Sequence, residues 1–324
     1  MAAPASGVPM SSSAAGGPAA TATAGVSGSG ASAGAPYVGF GRTRSGVGYW
    51  MATQNTGSPY YRQALVDGFG DAAGPQLQPI SPAWYVAMAA DPGGSGYWLA
   101  ASDGAVFGSG PLAGGAPPVY GSAAGLSLRA PVVGIASTPS GRGYWLIGRD
   151  GGVFAYGDAP FEGAFSPYDC ITVALDQPGV CPTSASAQPS QPDVVALAAT
   201  PSGHGYWLIT ASGQLDTKGD ALFYGTVTQR LNGPVVAMAA TPSGHGYWIV
   251  AADGGVFAFG DATFYGSMGG RRLNGAVFAI SPTAAGRGYW LAAADGGVFA
   301  FGDAQYLSNP IDNSCHAPPG SGCG

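Results

Sequence analysis

One phrase constrains this chain more than any other: GYWIVAADGGVFAFGDATFYGS, running from Gly246 to Ser267, with looser copies before and after it. The triplet Gly-Tyr-Trp stands at Gly48–Trp50, Gly96–Trp98, Gly143–Trp145, Gly205–Trp207, Gly246–Trp248 and Gly288–Trp290, in steps of 48, 47, 62, 41 and 42 residues. A period of about 40–45 residues is what one four-stranded propeller blade needs, whereas helical-pair repeats of that length require helix-period patterning. That patterning is missing.

The fifth copy divides into four short runs, Val235–Ala240, Tyr247–Ala252, Val256–Phe259 and Phe264–Ser267. They are separated by PSGHG, DGG and GDAT, the turn chemistry of antiparallel hairpins. In the second run Tyr247, Ile249 and Ala251 alternate with Trp248, Val250 and Ala252. Both faces are apolar, so both need cover, and a radial array supplies it by placing every sheet between two neighbours. The first run of each unit is small and apolar, as in VVGIAS, VVALAA and VVAMAA, which suits strands converging on a narrow axis. The expected fold is therefore all-β, a six-bladed β-propeller of four-stranded antiparallel blades.

The expected boundaries are an Ala/Gly/Ser/Pro-rich flexible tail over 1–36, a propeller over 37–311 and a C-terminal tail over 312–324. The blades fall at about 37–81, 83–129, 130–167, 193–233, 234–275 and 276–310, and the 62-residue step places an insertion at 166–192. Both ends of the array lie at a blade boundary. The junction of blades one and six is then expected to rest on side-chain packing and the tail, and to be the weakest.

The hairpin A-x-DGGVFAFGDA-x-FYGS of copies three, five and six resembles the secreted actinobacterial proteins in which GYWLV-x-x-DGG-[IV]-F-x-FGDA-x-FYGS recurs in tandem; the resemblance covers Tyr37 to Pro310. It implies an exported β-propeller of the kind found beside wall-active or hydrolytic domains. The repeat is more distantly similar to those of the regulator-of-chromosome-condensation and quinoprotein propellers. No residue here matches the partner-binding or cofactor-binding motifs of those two, and no cofactor is expected.

Charge excludes one class of partner. The chain has 11 Lys and Arg against 17 Asp and Glu, for a net charge of −6, so it lacks the clustered cations that phosphate backbones require. No run of about 18 apolar residues exists to span a membrane. Residues 1–36 contain neither a charge nor Leu, Ile or Phe, so no signal peptide is visible in them. An extracellular or cell-wall location is expected from the resemblance and the cysteines. Cys170 and Cys181 bracket a short loop, and Cys315 and Cys323 bracket the end of the chain. Four cysteines allow three pairings, of which the two local disulfides are expected. A four-cysteine zinc site needs closer spacing within each pair, and no metal is expected.

Two recurring slots hold most of the aspartates. Asp103, Asp150, Asp253 and Asp295 each precede Gly, a hairpin-turn arrangement. Asp71, Asp158, Asp220, Asp261 and Asp303 stand in Gly-Asp-Ala, where the carboxylate can accept hydrogen bonds from its own turn. Calcium is the alternative, but each slot supplies one ligand and calcium needs several. The residue before Gly-Tyr-Trp varies: Val47, Ser95, Arg142, His204, His245 and Arg287. Blade topology puts it on the same face as the Gly-Asp-Ala turn, so Arg142–Asp158, His245–Asp261 and Arg287–Asp303 are expected neighbours. Arg142, His204, His245 and Arg287 form one candidate ligand surface, against the leading alternative of solvated turn tips that tolerate any residue. The repeated tryptophans read as packing between blades. Trp84 breaks the repeat and, with Tyr85 and Tyr168, is the other candidate contact.

The leading functional expectation is a secreted, monomeric, non-catalytic binding or display module at a cell wall or polysaccharide. A propeller glycoside hydrolase or lyase with a site at the channel mouth is the runner-up, although no pair of off-repeat carboxylates stands out. A structural spacer is the third reading.

Overall fold

A computed structural model describes residues 36–54, 64–72, 76–79, 81–110, 115–166 and 192–308. The first sheet comprises β1 (Tyr37–Arg42), β2 (Gly48–Thr53), β3 (Leu65–Gly70) and the short β4 (Gln76–Leu77). The second has β5 (Tyr85–Ala90), β6 (Tyr97–Ala101) and β7 (Val106–Ser109); the third has β8 (Val132–Ser137), β9 (Gly143–Gly148) and β10 (Val153–Gly157). The fourth has β11 (Val194–Ala199), β12 (Gly205–Thr210) and β13 (Leu215–Gly219). The fifth has β14 (Val235–Ala240), β15 (Gly246–Ala251) and β16 (Val256–Gly260), and the sixth β17 (Val277–Pro282), β18 (Gly288–Ala293) and β19 (Val298–Gly302). Neighbouring strands are antiparallel throughout, and the described residues contain no helix.

The first strands of successive sheets touch in the order β1, β5, β8, β11, β14, β17, and β17 touches β1. This cycle makes the arrangement propeller-like, with the first strands innermost. The demand for cover on both faces of the second run is met between sheets. Each repeated tryptophan packs on the Gly-Tyr-Trp tyrosine of the next sheet: Trp98 on Tyr144, Trp145 on Tyr206, Trp207 on Tyr247 and Trp248 on Tyr289, with ring centroids 5.5–5.7 Å apart. Trp50 on Tyr97 and Trp290 on Tyr49 complete the circuit at 5.3 and 6.3 Å. These rings are buried, as the repeat position implied.

The expectation of four-stranded blades is corrected: five of the six sheets have three strands. The fourth run is present but is drawn off its own sheet and gripped by the next. In Phe-Tyr-Gly-Ser of the fifth copy, Tyr265 N–H donates to the Tyr289 hydroxyl at 3.2 Å, and that hydroxyl donates to Gly266 O at 2.6 Å. Tyr247 holds Tyr224 N–H and Gly225 O in the same way, and Tyr206 holds Glu162 N–H and Gly163 O. A backbone group has one partner to satisfy, and here the phenol takes the groups that a ladder would use. The glycine completes the departure. Gly266 has φ +137°, outside the range of strand residues with side chains. The strand prediction failed because the competing partner lies in the following repeat. Among the described residues only the first copy has a fourth strand, β4.

The junction of the first and last sheets carries the same backbone bond as four of the others. Every first strand carries a register shift after its first residue. Such bulges leave ladder groups free for other partners. Val132, Val194, Val235 and Val277 donate their N–H to Ser102, Arg149, Ala211 and Ala252 of the preceding sheet at 2.9–3.0 Å. Tyr37 N–H donates to Ala294 O at 3.0 Å in the same position, and Tyr49 grips Ser308. A backbone bond thus accompanies the expected side-chain packing of Trp290 on Tyr49, and the C-terminal tail lies outside the described residues. The exceptional junction is that of sheets one and two, where the Gln54 side chain reaches Tyr85 O and Gln78 Nε2 donates to the Tyr97 hydroxyl at 2.9 Å.

Candidate functional site

The turns between first and second strands form one face of the array, and their chemistry repeats. Thr241 Oγ1 donates to Asp261 Oδ1 at 2.9 Å, while Ser243 Oγ takes the other carboxylate oxygen. The same pair serves Asp220 through Thr200 and Ser202, and Asp158 through Thr138 and Ser140. In the sixth sheet Thr283 bonds Asp303 at 2.7 Å, and Ala285 replaces the serine. The second copy has moved its acid: Asp91 occupies the threonine position and accepts from Gly93 N–H and Ser95 N–H at 2.9 Å each. The Gly-Asp-Ala carboxylates therefore latch the adjacent hairpin. The expectation that each accepts from its own turn is corrected, because the hydroxyls lie in Thr-Pro-Ser-Gly. That motif was visible in the sequence at a constant distance from Gly-Asp-Ala, and pairing the two would have found the latch.

The other aspartate slot behaves as its sequence implied. Asp253, Asp295 and Asp150 accept the N–H of the residue two places on at 2.9, 3.0 and 3.2 Å. The intervening Gly254, Gly296 and Gly151 have φ between 81° and 94°, the left-handed conformation that these turns require.

The variable slot is held in one place by these latches. Asp158, Asp261 and Asp303 donate their N–H to the carbonyls of Arg142, His245 and Arg287 at 3.0–3.1 Å, so the three expected pairs are neighbours. Arg142 also forms a 3.7 Å ion pair with Asp158. Arg142, His204, His245 and Arg287 all point an exposed side chain from this face. Trp84 does not join them. It precedes β5, whereas the slot follows the far end of each first strand, and six strand residues separate the two ends by about 20 Å. Trp84 is 38% exposed. Its neighbour Tyr85 is only 1% exposed and donates its hydroxyl to Pro79 O at 2.7 Å, so it belongs to the core rather than to a ligand surface. Tyr168 and the four cysteines, Cys170, Cys181, Cys315 and Cys323, lie outside the described residues.

The fourth sheet departs from the repeat where Asp216 and Lys218 replace two aromatics. Lys218 Nζ lies 3.2 Å from Asp216 Oδ2, and the same oxygen accepts Ser166 N–H at 2.9 Å. Ser166 begins the expected insertion, and Asp193 at its other end pairs with Arg149 at 3.6 Å. The chain's single lysine is thus a half-buried structural group. On the opposite face to the latches, an open depression is lined by Ala211, Ser212, Gln229, Arg230, Asn232 and Pro234. No helix among the described residues is long and apolar enough to cross a membrane.

Comparison with known families yields no matching family model, and no curated protein matches the chain.

Proposed function

We propose that this chain is a secreted, non-catalytic six-bladed β-propeller that binds or displays at a cell wall or polysaccharide surface. One observation carries the reading. The recurring polar groups of the repeat are spent on internal hydrogen bonds, from carboxylate latches to the tyrosine grips. The position before Gly-Tyr-Trp is instead exposed at one place in successive sheets and filled by Arg142, His204, His245 and Arg287. A rigid frame that repeats a variable exposed position suits recognition. Resemblance to the secreted actinobacterial repeats supplies the wall or polysaccharide context, and the local pairing of Cys170 with Cys181 and of Cys315 with Cys323 expected from the sequence would fit an oxidising compartment.

The test is retention of the purified chain on insoluble cell wall and on a panel of immobilised polysaccharides. Arg142→Ala/His204→Ala/His245→Ala/Arg287→Ala is expected to lose retention while melting like the parent. Trp84→Ala, on the opposite face, is expected to keep it. Retention unchanged by the fourfold variant but lost with Trp84→Ala would move the site to the other face. No retention on any surface would leave a spacer.

A further inference from the structure

The innermost strands end in small residues with one exception. Level with the tyrosine of each Gly-Tyr-Trp stand Ala90, Ser137, Ala199, Ala240 and Pro282, and in the first sheet Arg42. Arg42 is 8% exposed, and its only hydrogen bond among the described residues runs from Nη1 to Thr43 O at 3.4 Å. Among the described residues its Nε has no partner, and neither do the buried hydroxyls of Ser281 and Ser137. Desolvation lowers the Arg42 pKa from the ordinary arginine value. It remains a cation, and a buried cation without a counter-charge is costly.

Ser281 falls beside Arg42 by register. A side chain at Gly41, the penultimate residue of β1, would sit 3.3 Å from Ala90 Cβ, the last residue of β5. The same step from β17 to β1 sets Ser281 against Arg42, and Ala279 and Phe40 share one apolar cluster one pleat away. The Gly-Asp-Ala carboxylates of the two sheets, Asp71 and Asp303, are engaged by Thr43 and Thr283.

We infer that the inner end of the sheet-one to sheet-six junction is a binding site for a single small oxyanion, held by the Arg42 guanidinium and the Ser281 hydroxyl. The site supplies a planar cation and a neutral donor in a wall of small side chains, which is the chemistry that recognises carboxylate, phosphate or sulfate. Arg42 is the last residue of β1, next to the turn on the latch-bearing face. The inference is independent of surface recognition by Arg142 and its counterparts.

Titration of the full chain with sodium acetate, phosphate and sulfate, each against sodium chloride at equal ionic strength, tests it through the arginine Nε–H resonances. One resonance is expected to shift saturably with one-to-one stoichiometry. Saturation by acetate alone assigns a carboxylate, and saturation by phosphate or sulfate alone assigns a tetrahedral oxyanion. Ser281→Ala should weaken binding several-fold, and Arg42→Gln should weaken it by at least about tenfold, the loss typical of a charge-assisted bond. Should Arg42→Gln not fold, Arg42→Lys replaces it and is expected to remove the shifting resonance. Linear, unsaturable shifts with all three salts, or parental affinity in Arg42→Gln, would overturn the assignment.

Discussion

The hydroxyl of Tyr247 stands between two backbone groups of the preceding sheet, accepting from Tyr224 N–H at 3.0 Å and donating to Gly225 O at 2.6 Å. One phenol oxygen thereby joins two repeats and holds the segment that would otherwise be an outer strand. Tyr247→Phe keeps the ring and removes both bonds. The two groups are part-buried, and leaving a fully buried one unpaired costs about 1–3 kcal/mol, so a loss of about 1–2 kcal/mol is expected by denaturant unfolding. Tyr97→Phe is the comparison: its hydroxyl pairs with the side chains of Gln78 and Ser109, so these lost bonds strand side-chain rather than backbone groups, and the loss should be smaller. Equal losses would show that the grip on backbone adds nothing.

The tyrosine hydroxyls also set an alkaline limit. Burial pushes Tyr144 and Tyr206 up to about 12 and raises Tyr85, Tyr247 and Tyr289 as well. An unfolded tyrosine ionises at about pH 10. A raised folded value means that the unfolded state sheds protons first as the pH climbs. Stability is therefore full below about pH 10 and falls as the pH rises towards about 12. Melting temperature against pH should be flat from neutrality to that point and then drop. The share of the tyrosinate absorbance that comes from these buried rings should appear together with unfolding; full tyrosinate absorbance in the folded protein before any loss of structure would refute the assignment.

Much of this architecture is legible in the sequence because its causes are local. Asp253-Gly254 specifies its turn by a bond spanning two residues, and Tyr247 to Val250 announce two buried faces by alternation. The fourth run was misread for the opposite reason. Phe264 to Ser267 has strand composition, yet its fate depends on Tyr289 in the next copy, and no window of one repeat contains both. The latches were half legible. Thr241 and Asp261 sit 20 residues apart at a constant offset in several copies, but each reads alone as an ordinary turn residue. Arg42 was hidden differently: only its alignment with Ala90 and Ala240 makes a charge there exceptional.

In the fourth sheet Asp216 and Lys218 stand where the fifth has Phe257 and Phe259. Their side chains are 8% and 12% exposed, so Lys218→Met strands a buried carboxylate and should cost about 3 kcal/mol. The double change Asp216→Phe/Lys218→Phe restores the repeat consensus and is expected to be close to neutral, since a well-packed apolar pair can replace a buried ion pair without loss. It should nevertheless release Ser166, whose N–H bonds Asp216. Faster proteolysis between residues 166 and 192 with an unchanged melting temperature would be the signature. A double variant as unstable as Lys218→Met would mean that the charges, not the volume, hold this junction.

Glycine in the gripped segment separates backbone strain from crowding. Gly266 has φ +137°, and a Cβ there would lie 2.6 Å from Phe301 Cδ1 in the next sheet. Gly270 has φ +78° but nothing within 4 Å of a Cβ. Gly270→Ala therefore carries only the left-handed penalty, about 1–2 kcal/mol. Gly266→Ala adds a clash with a packed ring, for which overpacking costs about 1–3 kcal/mol more. Phe301→Ala should relieve the clash, so that Gly266→Ala costs less in that background than in the parent, a coupling that a double-mutant cycle reads directly. Additive losses would place the gripped segment away from β19, and with it the account of why the fourth run leaves its own sheet.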